Sequence, residues 1–320
     1  MLLSRFAVGI SSVILMVLGA GVVSGQDYPT KPVRIVTAVA GGGSDFVARQ
    51  IAQGISGPLG QPVIVDNRGT GVLPGDYLAK AQPDGYTLLV NGGSTWLLPL
   101  LQKSPYDAVR DMSPIALISR NVNVFVVHPS VPAQSVKELI ALAKARPGEL
   151  NYSLSSIGGA GHLAAELFKA MAGVNIVSVA YKGTSPAVTG VVAGEVQFTV
   201  ADAALAAPHL KSGKLRALAV TSAEPTALAP GLPTVAASGV PGYEAIGVTG
   251  ILAPAKTPGA LINRLNQEVL RFLRLPDAKE RLLNGGEETV GSSPEQFAAK
   301  ITTDIAKIGK LIKDLGIKVN

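Results

Sequence analysis

The sequence predicts an α/β protein of two lobes joined by two extended crossings, and three observations carry that expectation. Short apolar runs that suit strands buried on both faces alternate with helical stretches, the order that builds parallel sheets. Four loops of glycine, serine and threonine each run from a predicted strand into a predicted helix. Two extended apolar segments, 114–127 and 246–253, read as the outgoing and returning passages between lobes, with Asn121 and Asn123 interrupting the first.

The stretch 33–47, VRIVTAVAGGGSDFV, sets the pattern. Val33, Ile35, Val36 and Val39 make a buried strand, Gly41, Gly42 and Gly43 break it, and Ser44 caps a helix running through 46–56. Free N–H groups at such a helix end, with no Cβ atoms in the way, form an uncharged cradle for a carboxylate or phosphate. A plain βα turn accounts for the same residues, so this loop alone decides nothing.

Further strands are expected at 62–66, 86–90, 150–154, 176–180, 196–200 and 215–220. Asn91 to Thr95 forms a second small polar loop before a helix from Trp96, and loops at strand C-terminal ends are where open α/β sheets bind ligands. Ser135 with Glu138 makes a capping box, and 155–161 leads into a helix over 162–171. Residues 181–185 form the fourth loop, with Pro186 as first helical residue. Two amphipathic helices end the chain, one marked by Leu261, Leu265, Val269 and Phe272. The other is marked by Phe297, Ile301, Ile305, Ile308 and Ile312, with Ser293, Pro294 and Gln296 at its start. Both are expected on the first lobe, giving a signal peptide at 1–25, lobe 1 from 26–121 and 246–320, and lobe 2 from 122–245.

Composition narrows the function. Hydrophobic content of 47% with 16% charge describes a globular chain with a sizeable core. Residues 1–25 read as a secretory signal peptide, with Arg5 as the basic n-region, 7–23 as the apolar h-region, and Val23-Ser24-Gly25 as the cleavage site. Cleavage there predicts a mature, periplasmic, monomeric protein beginning near Gln26. The absence of cysteine excludes disulfides, thiol nucleophiles and thiolate metal sites. The net charge of +6 falls to +5 without Arg5 and is spread along the chain, which gives nucleic acid no footprint. His128, His162 and His209 have no partners at metal-binding spacing, and no G-x-S-x-G elbow supports hydrolase chemistry. No lysine follows the first glycines, so a Walker A loop is excluded. Gly41-x-Gly43 followed by Asp66 at the end of the next strand is weakly similar to a dinucleotide fingerprint, making a secreted NAD-dependent oxidoreductase the alternative. Phe46 occupies the position where close helix packing needs a third small residue.

The segments VDNRGTGVLPGDYLAKAQPDGYTLLV, NYSLSSIGGAGHLAAELFKAMAGV, VAYKGTSPAVTGVVAGEVQFTVAD and ILAPAKTPGALINRLNQEV resemble, in order, the Bug/TctC family of bacterial periplasmic solute-binding proteins. The resemblance implies a class II periplasmic-binding-protein fold that closes on a small organic carboxylate for a tripartite tricarboxylate transporter or a sensor, without catalysis or cofactor. It implies ligand contacts from Gly42, Gly43, Ser44 and Asp45 in the first loop and Ser94 and Thr95 in the second. From the other lobe it implies Ser156, Gly158, Ala160, Gly161 and His162, then Lys182, Gly183 and Thr184, and Asp202. The chain departs from the family in carrying Ala38-Val39-Ala40 where a proline and an aromatic usually precede the first glycines. It also has Ile157-Gly158-Gly159 where an asparagine or serine pattern is commoner.

Overall fold

The computed structural model describes residues 28–155, 159–181 and 183–315. The expected signal peptide, Ser156, Gly158 and Lys182 lie outside them.

The first sheet begins with β1 (Val33–Thr37), α1 (Gly43–Leu59), β2 (Val63–Asn67), α2 (Leu73–Ala79), β3 (Thr87–Gly92) and the single turn α3 (Ser94–Leu97). β1 lies parallel between β2 and β3, with Ile35 opposite Val65 and Leu88. The chain then enters β4 (Met112–Val127), followed by α4 (Val136–Ala145), β5 (Asn151–Leu154), α5 (Ala160–Ala172), β6 (Val177–Ala180) and α6 (Thr184–Val192). β7 (Phe198–Asp202), α7 (Ala203–Lys211) and β8 (Arg216–Val220) come next, and β9 (Ile246–Pro254) returns. α8 (Gly259–Arg274), α9 (Pro276–Asn284), β10 (Glu288–Thr289) and α10 (Pro294–Leu315) end the described chain.

β4 is the strand on which the two halves meet. Between Met112 and Val122 it pairs antiparallel with β9, and from Asn123 to Val127 with β7, so the strand order runs β2-β1-β3-β9-β4 and then β7-β5-β6. Thr221, fully buried, ties this changeover to the returning passage. It accepts a hydrogen bond from the Asn123 N–H at its hydroxyl (3.0 Å), donates its own N–H to the Asn123 carbonyl, and receives the Ala245 N–H.

Each half is covered by helices on both faces, which explains why its strands read as continuous apolar runs. One face of the first sheet packs β1, β3 and β9 against α1, α8 and α9, and the other packs Trp96, Tyr106 and Leu78 against Phe297 and Ile301 of α10. Phe272 of α8 lies so close over Gly54 of α1 that a Cβ there would fall 2.1 Å from the ring, and Phe297 covers Gly250 of β9 in the same way. The closing helices thus dock on the first sheet, and burying one such phenylalanine is worth about 1.5–3 kcal/mol. In the second half, Phe125, Phe168, Phe198 and Tyr243 fill one face, while Val188, Val191 and Ala206 fill the other.

The α/β class and two-lobed architecture are those the sequence predicts. Two details differ. Three helices follow the return passage instead of two, because Pro276 starts the short α9 directly after α8 with its ring at a first-turn position that needs no N–H. α6 begins at Thr184, two residues before Pro186, because Gly183 takes a positive φ of 109° that lets the chain turn into the helix early. The capping boxes hold: Ser135 Oγ accepts from the Glu138 N–H, and Ser293 and Gln296 exchange hydrogen bonds at the start of α10.

Candidate functional site

The first glycine loop is held by a charged network. Gly41 has a positive φ of 79° and its N–H donates to Asp45 Oδ2 (2.9 Å); Arg49 Nε reaches the same oxygen (3.1 Å) and Asn67 Nδ2 the other (2.9 Å). Asn67 also donates to the Ala38 carbonyl (2.7 Å), so β2, the loop and α1 are tied at one point. Burial of Asp45 opposes ionisation, yet the hydrogen bonds from Arg49, Asn67 and Gly41 outweigh it and hold the carboxyl below the usual range. Both carboxylate oxygens of Asp45 are committed to the fold. Gly42 is the helix N-cap, and the N–H groups of Gly43, Ser44 and Asp45 have no acceptor within α1. Ser44 lies beside the second loop, its Oγ 3.9 Å from the place a Cβ on Gly92 would take.

In the second loop Thr95 is fully buried, accepts at its hydroxyl from Asn91 Nδ2 (3.0 Å), and is fixed at its carbonyl by Tyr106. Ser94 is the partly exposed residue of the pair. Trp96 lies under Gly93, with its indole donating to Asp304 and its ring edge-on to Phe297.

Among the described residues no ion pair holds the helix starts of the second half. α5 is capped by Gly159, leaving the N–H groups of Ala160 and Gly161 without helical acceptors. A Cβ on Gly161 would sit 2.6 Å from the Val200 carbonyl, so glycine is what lets α5 approach β7 so closely. Ser155, Gly161, Thr184 and Ala201 line one small crevice, which brings the third and fourth loops together. His162 is buried, and its burial depresses the imidazole pKa.

Between these loops a polar ladder runs along one face of β4. Ser119, Asn121 and Asn123 stand at alternate positions, and Ser119 Oγ donates to Glu287 Oε2 (2.6 Å) while Asn121 Nδ2 lies 3.4 Å from Oε1. Glu287 is only 3% exposed, and its Oε1 is 3.6 Å from the Cβ position of Gly43 at the start of α1. Burial pushes its carboxyl up to about 7; the Ser119 and Asn121 hydrogen bonds oppose that rise and the neighbouring Asp202 adds to it. Asp202, opposite Asn123 in register, occupies the N-cap position of α7 without capping it, and burial raises its pKa too. The Asn121 oxygen and the Asn123 amide nitrogen are buried without a hydrogen-bond partner. Alongside, Glu288 pairs with Arg120 (2.8 Å) and accepts from Thr226, so the strand and the segment after β8 share one carboxylate.

The structure thus brings Ser44 of the first loop beside Gly92 at the start of the second, and Gly161 to the same crevice as Thr184. Sequence reasoning missed Glu287. The alternation of Ser119, Asn121 and Asn123 in an apolar strand was its visible half, but nothing local links that face to a carboxylate 168 residues later. Among the described residues no cluster of histidine, aspartate and glutamate could hold a metal, and no helix is long and apolar enough to cross a membrane.

The model of the tripartite tricarboxylate transporter family receptor matches residues 47–317. Protein BugT of Bordetella pertussis is 33% identical over 94% of this chain and 94% of its own. Rpa4515 of R. palustris, solved with adipate, is 36% identical with a TM-score of 0.82, covering 91% of this chain and 99% of that one. MatC of Rhodopseudomonas palustris, solved with malate, is 27% identical with a TM-score of 0.78, covering 89% and 100%. With such matches to receptors, the nicotinamide reading is not favoured. The chain belongs to the tripartite tricarboxylate transporter receptor family, the Bug/TctC periplasmic solute-binding proteins.

Proposed function

We propose that the protein captures a small organic carboxylate, a dicarboxylate of the adipate or malate kind being the first candidate, between lobes 26–121 with 246–320 and 122–245. It then presents the ligand to the membrane subunits of a tripartite transporter or to a sensor. The carrying observation is that the starts of α1, α5 and α6 offer N–H groups without helical acceptors from both halves. Ser44 and Thr184 stand in those first turns and Ser94 begins α3, and neutral donors dominate the described loop residues. A charge-assisted hydrogen bond of this kind is worth about 1.5–3 kcal/mol, so two or three suffice for micromolar binding once association costs are met. Relatives solved with adipate and malate support the ligand class. We assign no catalysis to the site. Family membership and the N-terminal pattern support export, cleavage near Gln26 and a monomer in the periplasm.

A thermal-shift screen of mono-, di- and tricarboxylates, with NAD as control, tests this reading. Stabilisation by one or more carboxylates and none by NAD is the expected result, and scattering at saturation should show a smaller radius of gyration as the lobes close. Stabilisation by NAD alone would overturn it.

A further inference from the structure

We propose that Glu287 is a ligand-contacting residue that carries a proton whenever the cleft holds a carboxylate, so that capturing the anion takes up one proton. This rests on the carboxylate reading and adds the chemistry of one residue to it.

The argument is geometric. Glu287 Oε1 lies 3.6 Å from the Cβ position of Gly43, beside the N–H groups that would draw an anion to α1. A ligand carboxylate that takes those donors comes into near contact with the Glu287 carboxyl. Two like charges at that range inside protein repel strongly enough to cost orders of magnitude in affinity. One proton turns the same contact into a strong O–H···O⁻ hydrogen bond.

No neighbour relieves Glu287 of its charge. From β4 it receives only the neutral Ser119 and Asn121, because Arg120 turns to Glu288. From α1 the nearest acid, Asp45, is saturated by Arg49. From the end of β7 comes a second carboxyl, Asp202, while Ala204 of α7 abuts Gly286. On its own segment Glu288 is taken up by Arg120 and Thr226. Among the described residues no lysine, arginine or histidine pairs with Glu287. The buried, partnerless Asn123 amide on the same strand face is an independent sign that this ladder is completed by an acceptor, as a ligand carboxylate provides. The rise of the Glu287 carboxyl to about 7 is consistent with a proton held there near neutrality.

Calorimetric titrations with acetate, malate, adipate and citrate, from about pH 6.5 to 8.5 in two buffers of unlike ionisation enthalpy, test it. The simple diacids are fully ionised above about pH 6.5, so a slope there belongs to the protein. The expected result is uptake of nearly one proton per ligand at the upper end, with affinity falling up to about tenfold per pH unit above pH 7. Glu287→Gln should flatten the profile and abolish the uptake, with an unchanged circular dichroism spectrum. Asp202→Asn removes the other buried carboxyl and is read per ligand bound, whatever its affinity: uptake should persist, which leaves Glu287 as the holder of the proton if Glu287→Gln does not fold. Binding without uptake, or uptake that vanishes only in Asp202→Asn, overturns the proposal and leaves carboxylate capture intact. No binding by any of the four acids at any pH overturns both.

Discussion

Among the described residues the starts of α1 and α5 are held by opposite means, and the contrast shows where this molecule is stiff and where it is responsive. At α1 the turn is held by side chains: Asp45 gathers Gly41, Arg49 and Asn67 into one charged knot, and a second carboxyl, Glu287, faces the first residue of the helix. At α5 the described contact is one of backbone, with Gly161 pressed against the Val200 carbonyl. The start of α1 should therefore answer to pH through its carboxyls, and Gly161 at the start of α5 to any added volume.

The largest effect separates the two at once. Gly161→Ala places a methyl 2.6 Å from a backbone oxygen that cannot give way, and should cost about 2–3 kcal/mol by urea denaturation. Gly43→Ala meets only ordinary contact at 3.6 Å and should leave stability nearly unchanged. Equal costs would erase the contrast.

Asp45→Ala comes next. It strands three donors, though Arg49 is exposed enough for water to take part of the loss, and about 2 kcal/mol is expected. Because the folded pKa of Asp45 is depressed, its contribution is present above the unfolded value near 4 and is lost as pH falls through the folded one. The gap between the variant and the unchanged protein should accordingly narrow in acid melts.

Glu287→Gln has the opposite sign. Its folded pKa is raised from 4.5 to about 7, so the native state binds more protons than the unfolded chain between those values and loses stability as pH rises through them. The gain in stability from the glutamine should be larger by about 2 kcal/mol at pH 8 than at pH 5, read from melting temperatures at the two values.

The smallest effect on the fold is Thr184→Ala, at the first residue of α6. Its hydroxyl has no protein partner among the described residues, so stability should move by less than about 0.5 kcal/mol. Adipate affinity should fall roughly fivefold, the loss of one ordinary hydrogen bond. A stability loss without an affinity loss would make Thr184 part of the scaffold.

The fold was legible because its signals are local. Glycines after apolar runs, capping boxes at Ser135 and Ser293, and the helical spacing of Leu265, Val269 and Phe272 each declare an element within a dozen residues. The outgoing passage was legible for the same reason, since Asn121 and Asn123 break an apolar run where β4 changes partners. The site was legible only in part. Glycine loops announce helix starts, but they do not say which polar side chains are consumed by the fold. Asp45 and Thr95 have the composition of ligand groups, and both are taken up by internal hydrogen bonds. Glu287 follows two glycines near a two-residue strand, and its importance comes from the approach of three segments, β4, α1 and α7, which no local pattern encodes.

Calorimetry with adipate on the unchanged protein and on Gly43→Asp, both at pH 6, tests carboxylate capture at the start of α1 most directly. Near that pH Glu287 is expected to hold its proton, so the new aspartate meets a neutral neighbour and the fold should persist, as circular dichroism will report. The predicted result is micromolar binding by the unchanged protein and none detectable by the variant. Equal affinity in the two proteins, with identical spectra, would contradict it.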